Sequence, residues 1–167
     1  TDVTADLPLP LNVGIGFAYS GIENLLITGD VALSQWSAWD VIEVNDDDGN
    51  KINELTMNWE DGIRAGLALE YSLALANAKL RASFYSEPAA PVAETMNPTI
   101  PDINRRNVVV LGFGLPVGPF EAGLMYEHMF IGDKTVEWSP ETPPFHNLGG
   151  LYTMTVNNIM FGLDYNF

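Results

Sequence analysis

The last nine residues of the chain, 159–167, read IMFGLDYNF and alternate strictly between two kinds of side chain. Every second position is apolar or aromatic, and this row consists of Ile159, Phe161, Leu163, Tyr165 and Phe167. The positions between them are small or polar, apart from one methionine, and comprise Met160, Gly162, Asp164 and Asn166. A period of two with unlike faces is the pattern of a β-strand that separates two environments.

The same alternation recurs in six earlier segments, so the chain is predicted to be all-β. With the closing segment, the predicted strands lie near residues 11–20, 25–36, 62–72, 78–86, 107–116, 120–130 and 151–167. The third segment is typical, because Ile63, Ala65, Leu67, Leu69 and Tyr71 alternate with Arg64, Gly66, Ala68 and Glu70. Consecutive strands joined by short links predict an antiparallel sheet.

The links between these segments alternate between short turns of about four or five residues and long loops of about twenty. The long loops are predicted at residues 40–61, 87–104 and 131–150. The first contains DDDGN at residues 46–50, which predicts a hairpin that turns at the Asp-Gly pair. Several prolines in the second loop, including Pro88 and Pro91, are incompatible with an interior strand. Short turns on one side and long loops on the other are typical of an outer-membrane barrel.

Charge also separates by face. In the predicted strands Arg64, Lys79 and Arg81 all lie opposite the apolar rows, and so do the acidic residues. A basic side chain that faces lipid near the bilayer midplane costs roughly 2–4 kcal/mol, so a row without charges is predicted to face lipid. No run of about 18 apolar residues exists for a membrane helix, but a barrel strand needs only about 9–11 residues. The sequence therefore predicts an antiparallel transmembrane β-barrel.

The balance of charged residues excludes one class of partner. The chain has 7 Lys and Arg against 22 Asp and Glu, a formal net charge of −15. Nucleic-acid binding needs clustered bases, so we expect no nucleic acid partner. Seven strands are also an odd number, whereas bacterial single-chain barrels have an even one. We therefore expect residues 1–167 to be part of a longer barrel.

Six stretches of the sequence point to a known family when they are taken together: QWSAW at 35–39, MNWEDG at 57–62, LRASFYSEP at 80–88, IPD at 100–102, RR at 105–106 and LGFG at 111–114. In their order and spacing they resemble the second half of the FadL-like transporters, which carry long-chain fatty acids and aromatic hydrocarbons across the outer membrane. The resemblance implies a barrel of about fourteen strands plugged by an N-terminal hatch, with hatch and first half upstream of Thr1. The terminal aromatic resembles the end of bacterial outer-membrane barrels, which implies that the assembly machinery reads Phe167.

The resemblance also implies passive uptake of hydrophobic molecules in a Gram-negative outer membrane, with a periplasmic C-terminus. Lipid and lipopolysaccharide would surround the barrel. The candidate lumen residues are Met125, Met129, Met160, Val108, Val110, Tyr85, Arg64 and Arg81. Methionine adapts to flexible apolar ligands, and the arginines could meet a carboxylate. Alternatively, the apolar residues pack against a plug or opposite wall, and the arginines form a network with Glu70.

The predicted loop ends carry Trp36, Trp39 and Trp59, which either anchor the barrel at the headgroup boundary or form an external capture groove. No metal site is predicted, because Val44 stands where an EF-hand requires Asp, and neither His128 nor His146 has neighbours at ligand spacing. We expect no catalytic residue, cofactor or enzymatic activity. Two other functions remain open at this point: a structural or adhesive outer-membrane barrel, and a soluble lipid-binding β-barrel whose apolar rows face inward.

Overall fold

The computed structural model describes residues 2–96, 102–138 and 148–165. In chain order the strands are β1 (Thr4–Ala5), β2 (Asn12–Ile22), β3 (Leu25–Ser34), β4 (Val41–Asn45), β5 (Lys51–Thr56), β6 (Gly62–Ser72), β7 (Lys79–Glu87), β8 (Arg106–Val117), β9 (Phe120–Ile131), β10 (Lys134–Val136), β11 (Gly150–Tyr152) and β12 (Val156–Tyr165). The prediction of an all-β, antiparallel chain is confirmed. Phe167 and His146 lie outside the described residues.

One seven-stranded sheet dominates the fold, with the order β2-β3-β6-β7-β8-β9-β12. Neighbours in the sheet are also neighbours in sequence, apart from the small strands that belong to the loops. A three-stranded sheet of β1, β4 and β5 and a two-stranded ladder of β10 and β11 complete the described structure. The main sheet is open, so β2 and β12 each pair on one side only.

The register of the main sheet keeps unlike side chains on opposite faces. One row across all seven strands consists of Tyr19, Ile27, Leu69, Ala82, Leu111, Tyr126 and Ile159. We call the face that bears this row the apolar face. A row on the other face consists of Gly16, Asp30, Gly66, Tyr85, Val108, Met129 and Val156. The only register shift within the sheet's described pairs lies near the β2–β3 turn, between Tyr19 and Ile22.

Every formal charge in these seven strands lies on the second face, which we call the charged face. These residues are Asp30, Arg64, Glu70, Lys79, Arg81, Glu87, Arg106, Glu121, Glu127 and Asp164. The apolar face is widely exposed, with Ile15 at 79%, Ile159 at 77% and Phe161 at 74% exposure. A continuous exposed apolar surface of this kind is unfavourable in water and marks a face that another apolar phase covers.

The loops, rather than the main sheet, contain a compact hydrophobic cluster. Met96, Ile103 and Val136 are buried together there, and Tyr152 and Met154 pack against them. The hairpin predicted at the Asp-Gly pair forms between β4 and β5. Its turn is closed by the Asp46 carboxylate, which accepts backbone N–H bonds from Asn50 at 2.8 Å and Asp48 at 3.0 Å. The bond from the Asn50 backbone is the main cause that lowers the pKa of Asp46.

Three predicted strand boundaries differ from the observed ones by two or more residues. The first strand ends at Ile22 instead of near residue 20. The closing strand begins at Val156 instead of near residue 151, because Gly150–Tyr152 pairs with Lys134–Val136 in the loop ladder. The predicted strand at 25–36 ends at Ser34, because Trp36–Ala38 forms a 3-10 turn. No helix in residues 2–96, 102–138 and 148–165 has the length and apolar character needed to cross a membrane.

The open edges generate a prediction about the chain expressed alone. Among the described residues no strand pairs with the outer sides of β2 and β12, and such open edges are costly in an apolar phase and template edge-to-edge pairing. We expect the 167-residue chain in detergent to form oligomers or aggregates, as measured by size-exclusion chromatography with light scattering. A compact monomer whose gel migration changes on heating would contradict this.

Candidate functional site

All the predicted lumen residues lie on the charged face. One row, which we call the methionine row, consists of Glu70, Arg81, Gly112, Met125 and Met160. The next row toward the long loops consists of Ser83, Val110, Glu127 and Asn158, and the row after it contains Tyr85, Val108 and Met129. Met125 is therefore the direct cross-strand neighbour of Met160, and Met129 lies opposite Val108.

A concavity of about 250 Å³ lies on this face. Its lining includes Leu26, Thr28, Ala68, Glu70, Arg81, Ser83, Val110 and Met125. Three of the predicted lumen residues, Arg81, Val110 and Met125, are thus brought to one site. Val108 is fully buried at 0% exposure and packs within the wall, so it offers no surface to a ligand.

The arginine of this site is engaged by two carboxylates. Arg81 donates through Nε to Glu70 Oε2 and through Nη2 to Glu121 Oε1, both at 2.7 Å. Lys79 Nζ donates to the other oxygen of Glu121 at 2.8 Å. These side chains are one-fifth to one-third exposed, so solvent only partly screens the charge-assisted bonds. Of the predicted network with Glu70, the structure contains the Arg81 contact, whereas Arg64 pairs with Asp30 and Lys79 with Glu121.

The other arginines of the charged face are paired in the same way. Arg64 Nη1 lies 2.8 Å from Asp30 Oδ2, and its guanidinium carbon lies 4.6 Å from the centroid of the Tyr85 ring. Arg106 contacts Asp102 at 2.8 Å and Glu87 at 3.2 Å. Each guanidinium therefore already has a carboxylate partner within the chain.

A glycine provides the space for the ion pair between Arg81 and Glu121. Arg81 lies on β7 and Glu121 on β9, so their bond crosses the intervening strand β8. It crosses at Gly114, where an added Cβ would lie 3.0 Å from Glu121 Oε1 and 3.1 Å from Arg81 Nη1. Any larger residue at this position would compete with the ion pair for space.

The three predicted loop tryptophans pack against one another. Ring centroids lie 4.7 Å apart for Trp39 and Trp59, 5.3 Å for Trp36 and Trp59, and 5.7 Å for Trp36 and Trp39. We call these residues the tryptophan cluster. Trp39 Nε1 donates to the carbonyl of Pro8 at 2.6 Å, while the buried Nε1 of Trp59 has no hydrogen-bond partner in the described chain. The cluster joins the segment before β2 to the ends of β3 and β5.

An exposed carboxylate supports this loop end. Asp61 accepts the backbone N–H of Ser37 at 2.9 Å, and hydrogen bonds from Ser37, led by its side chain, lower the pKa of Asp61. Within the described ranges no three His, Asp or Glu side chains are grouped as ligands for a metal ion.

Two of these contacts were not predicted from the sequence. The alternation predicts that Glu121 lies on the charged face. It does not predict the contact with Arg81, because the two residues lie on strands that are separated by β8. The signal that could have found it is the small residue between them, since a glycine on the same face of β8 leaves room for such a crossing. No periodic pattern in the sequence predicts that the tryptophans pack together, because Trp59 lies in a different segment from Trp36 and Trp39.

No family model and no curated protein sequence matches the chain. Among solved structures, the chain is similar to the crystal structure of a Pseudomonas aeruginosa FadL homologue, with a TM-score of 0.80 and 16% sequence identity. The chain shares the fold of part of that protein. The similarity covers 96% of this chain and 36% of the FadL homologue, so the chain spans about a third of that protein's length.

The Gly114 crossing generates a stability prediction. Gly114→Val should push Arg81 and Glu121 apart and destabilise the assembled protein by about 1–3 kcal/mol, the usual cost of overpacking. The matched control is Gly123→Val in the same row, where the nearest contact of an added Cβ is a backbone oxygen at 4.0 Å. Urea unfolding in lipid vesicles measures the difference. Equal loss of stability in both variants would show that the crossing contributes nothing.

Proposed function

We propose that this chain is the C-terminal half of an outer-membrane β-barrel of about fourteen strands that passively takes up hydrophobic molecules. The observation that carries the proposal is the separation of faces across the sheet: seven strands keep every formal charge on one face and large apolar residues on the other. The fold similarity to a FadL homologue over 96% of the chain supports a transporter-type barrel.

In this proposal the apolar face contacts lipid and the charged face lines the lumen. The long connections, which contain β4, β5, β10 and β11, lie on the extracellular side. The short turns lie on the periplasmic side together with the C-terminus. This assignment matches the general asymmetry of barrels in a Gram-negative outer membrane. The barrel is then surrounded by lipid and lipopolysaccharide, and the assembly machinery recognises Phe167.

The proposed mechanism involves movement of the ligand and no covalent chemistry. A hydrophobic molecule enters at the extracellular loops, where the tryptophan cluster forms an apolar capture surface or anchors the loops. It then passes along the charged face, where Met125 and Met160 offer adjacent flexible side chains. Release into the bilayer or the periplasm follows a conformational change. No catalytic residue, cofactor or metal takes part.

A non-transporting structural barrel is the second candidate, and one observation favours it. The basic residues of the charged face are all paired with carboxylates, as expected of a wall whose role is packing. The concavity beside Met125 argues for a ligand instead, because its lining combines apolar side chains with few polar groups.

The orientation of the faces can be tested by placing one charge on either side of β8. Leu111→Arg puts a guanidinium on the apolar face and should cost roughly 2–4 kcal/mol if that position lies near the bilayer midplane. Val110→Arg is the matched control, because the adjacent position lies on the charged face opposite Glu127. Heat-modifiable gel migration of the membrane fraction reports assembly. Equal loss of assembled barrel in both variants would contradict the orientation.

The path of the ligand can be tested in the full-length protein. Met125→Asp and Met160→Asp should each lower uptake of long-chain hydrophobic molecules about tenfold or more, because an apolar ligand would desolvate the carboxylate. Ser72→Asp is the control, since it adds the same charge to the same face beside Lys79, outside the lining of the concavity. Uptake is normalised to surface-exposed protein. Unchanged uptake in both methionine variants would remove this face from the path and favour Trp39 and Trp59.

A further inference from the structure

Every basic residue on the charged face is paired with a carboxylate of the same chain. All seven are among the described residues, and five of them have carboxylate partners: Lys51, Arg64, Lys79, Arg81 and Arg106. The other two, Arg105 and Lys134, lie outside the main sheet, before β8 and in β10. The charged face in the described chain therefore has no basic side chain available to a ligand without breaking an existing pair.

Acidic residues are in excess on the same face. Its carboxylates are Asp30, Glu70, Glu87, Glu121, Glu127 and Asp164, against the bases Arg64, Lys79, Arg81 and Arg106. Glu127 accepts a hydrogen bond from Asn158 at 2.7 Å and is not ion-paired in the described chain. An anionic ligand on this face would meet net repulsion.

The contacts of Arg81 beside the concavity also disfavour a ligand that carries a carboxylate. Glu70 and Glu121 accept hydrogen bonds from two different nitrogens of the Arg81 guanidinium, Nε and Nη2, each at 2.7 Å, and so take up donors that a ligand carboxylate would use. Exchanging either glutamate for a ligand carboxylate makes no additional ion pair. It also leaves Glu70 without its base, or leaves Glu121 with Lys79 alone, and either loss costs free energy because these side chains are only one-fifth to one-third exposed. An uncharged ligand avoids this cost and contacts the apolar lining formed by Leu26, Ala68, Val110 and Met125.

We propose that Glu70 and Glu121 are internal counter-anions that set the charge selectivity of this face, so that it accepts uncharged apolar molecules and discriminates against carboxylates of the same length. This inference rests on the proposed function and names its substrate class. Arg81 is then a positioning residue that holds the two glutamates, and it is not a receptor for a fatty-acid carboxylate.

The test compares two probes of equal chain length, methyl hexadecanoate and hexadecanoate at pH 8, in binding to the full-length protein and in uptake. Wild type is expected to prefer the ester by about tenfold or more, equivalent to about 1.4 kcal/mol. In Glu70→Gln/Glu121→Gln, Arg81 and Lys79 lose their anions, so binding of hexadecanoate should rise about tenfold with little change for the ester. Glu121→Gln alone is a milder variant that should show part of the gain.

The control is Glu127→Gln, which removes a negative charge from the same face but frees no base. It should leave the preference for the ester largely unchanged. A wild-type preference for hexadecanoate would overturn the inference, and so would the absence of any gain in assembled Glu70→Gln/Glu121→Gln and Glu121→Gln proteins. An equal gain in Glu127→Gln would also overturn it, because net charge alone would then explain selectivity. If assembled wild type takes up neither probe, the proposed function fails and the inference with it.

Discussion

The register of the seven-stranded sheet is the constraint on which the rest of the structure depends. Side chains alternate between faces with a period of two, so a slip of one residue at any ladder would move a strand's apolar residues to the charged face. In β6 and β7 such a slip would also place Arg64 or Arg81 among the large apolar side chains. The observed register avoids this at every ladder of the sheet. Register therefore determines both which surface meets an apolar phase and which residues form the candidate site.

The same register explains how the charged face tolerates its ionic groups. Glu70 is the direct cross-strand neighbour of Arg81, and Glu121 reaches the same guanidinium across Gly114. Two carboxylates and one glycine thus fix the position of a single arginine beside the apolar part of the concavity. The candidate site is consequently a surface of neutralised pairs and apolar side chains, which is suited to ligands that bring no charge.

The faces and most strands could be predicted because alternation is a local property of the sequence. The Glu70–Arg81 contact could also be predicted, since the two residues lie on the neighbouring strands of one hairpin. The Arg81–Glu121 contact was not, because it depends on the register of two successive hairpins and on the space above Gly114. The β10–β11 ladder and the start of β12 at Val156 were missed for a related reason: these loop segments are held by contacts with Met96 and Ile103 and show no periodicity. The seven strands form an open sheet, so the number of strands in a closed barrel stays a proposal.

The central claim, that the apolar face meets lipid and the charged face meets a lumen, is most directly tested by spin-label accessibility along β8. The chain contains no cysteine, so single-cysteine variants can be labelled without background from this chain. Labels at Val109, Leu111 and Phe113 should be accessible to oxygen dissolved in the bilayer, whereas a label at Val110 should be more accessible to a water-soluble nickel reagent. The two accessibilities should therefore oscillate out of phase with a period of two residues. High accessibility of Leu111 to the nickel reagent, with no alternation between neighbours, would contradict the account.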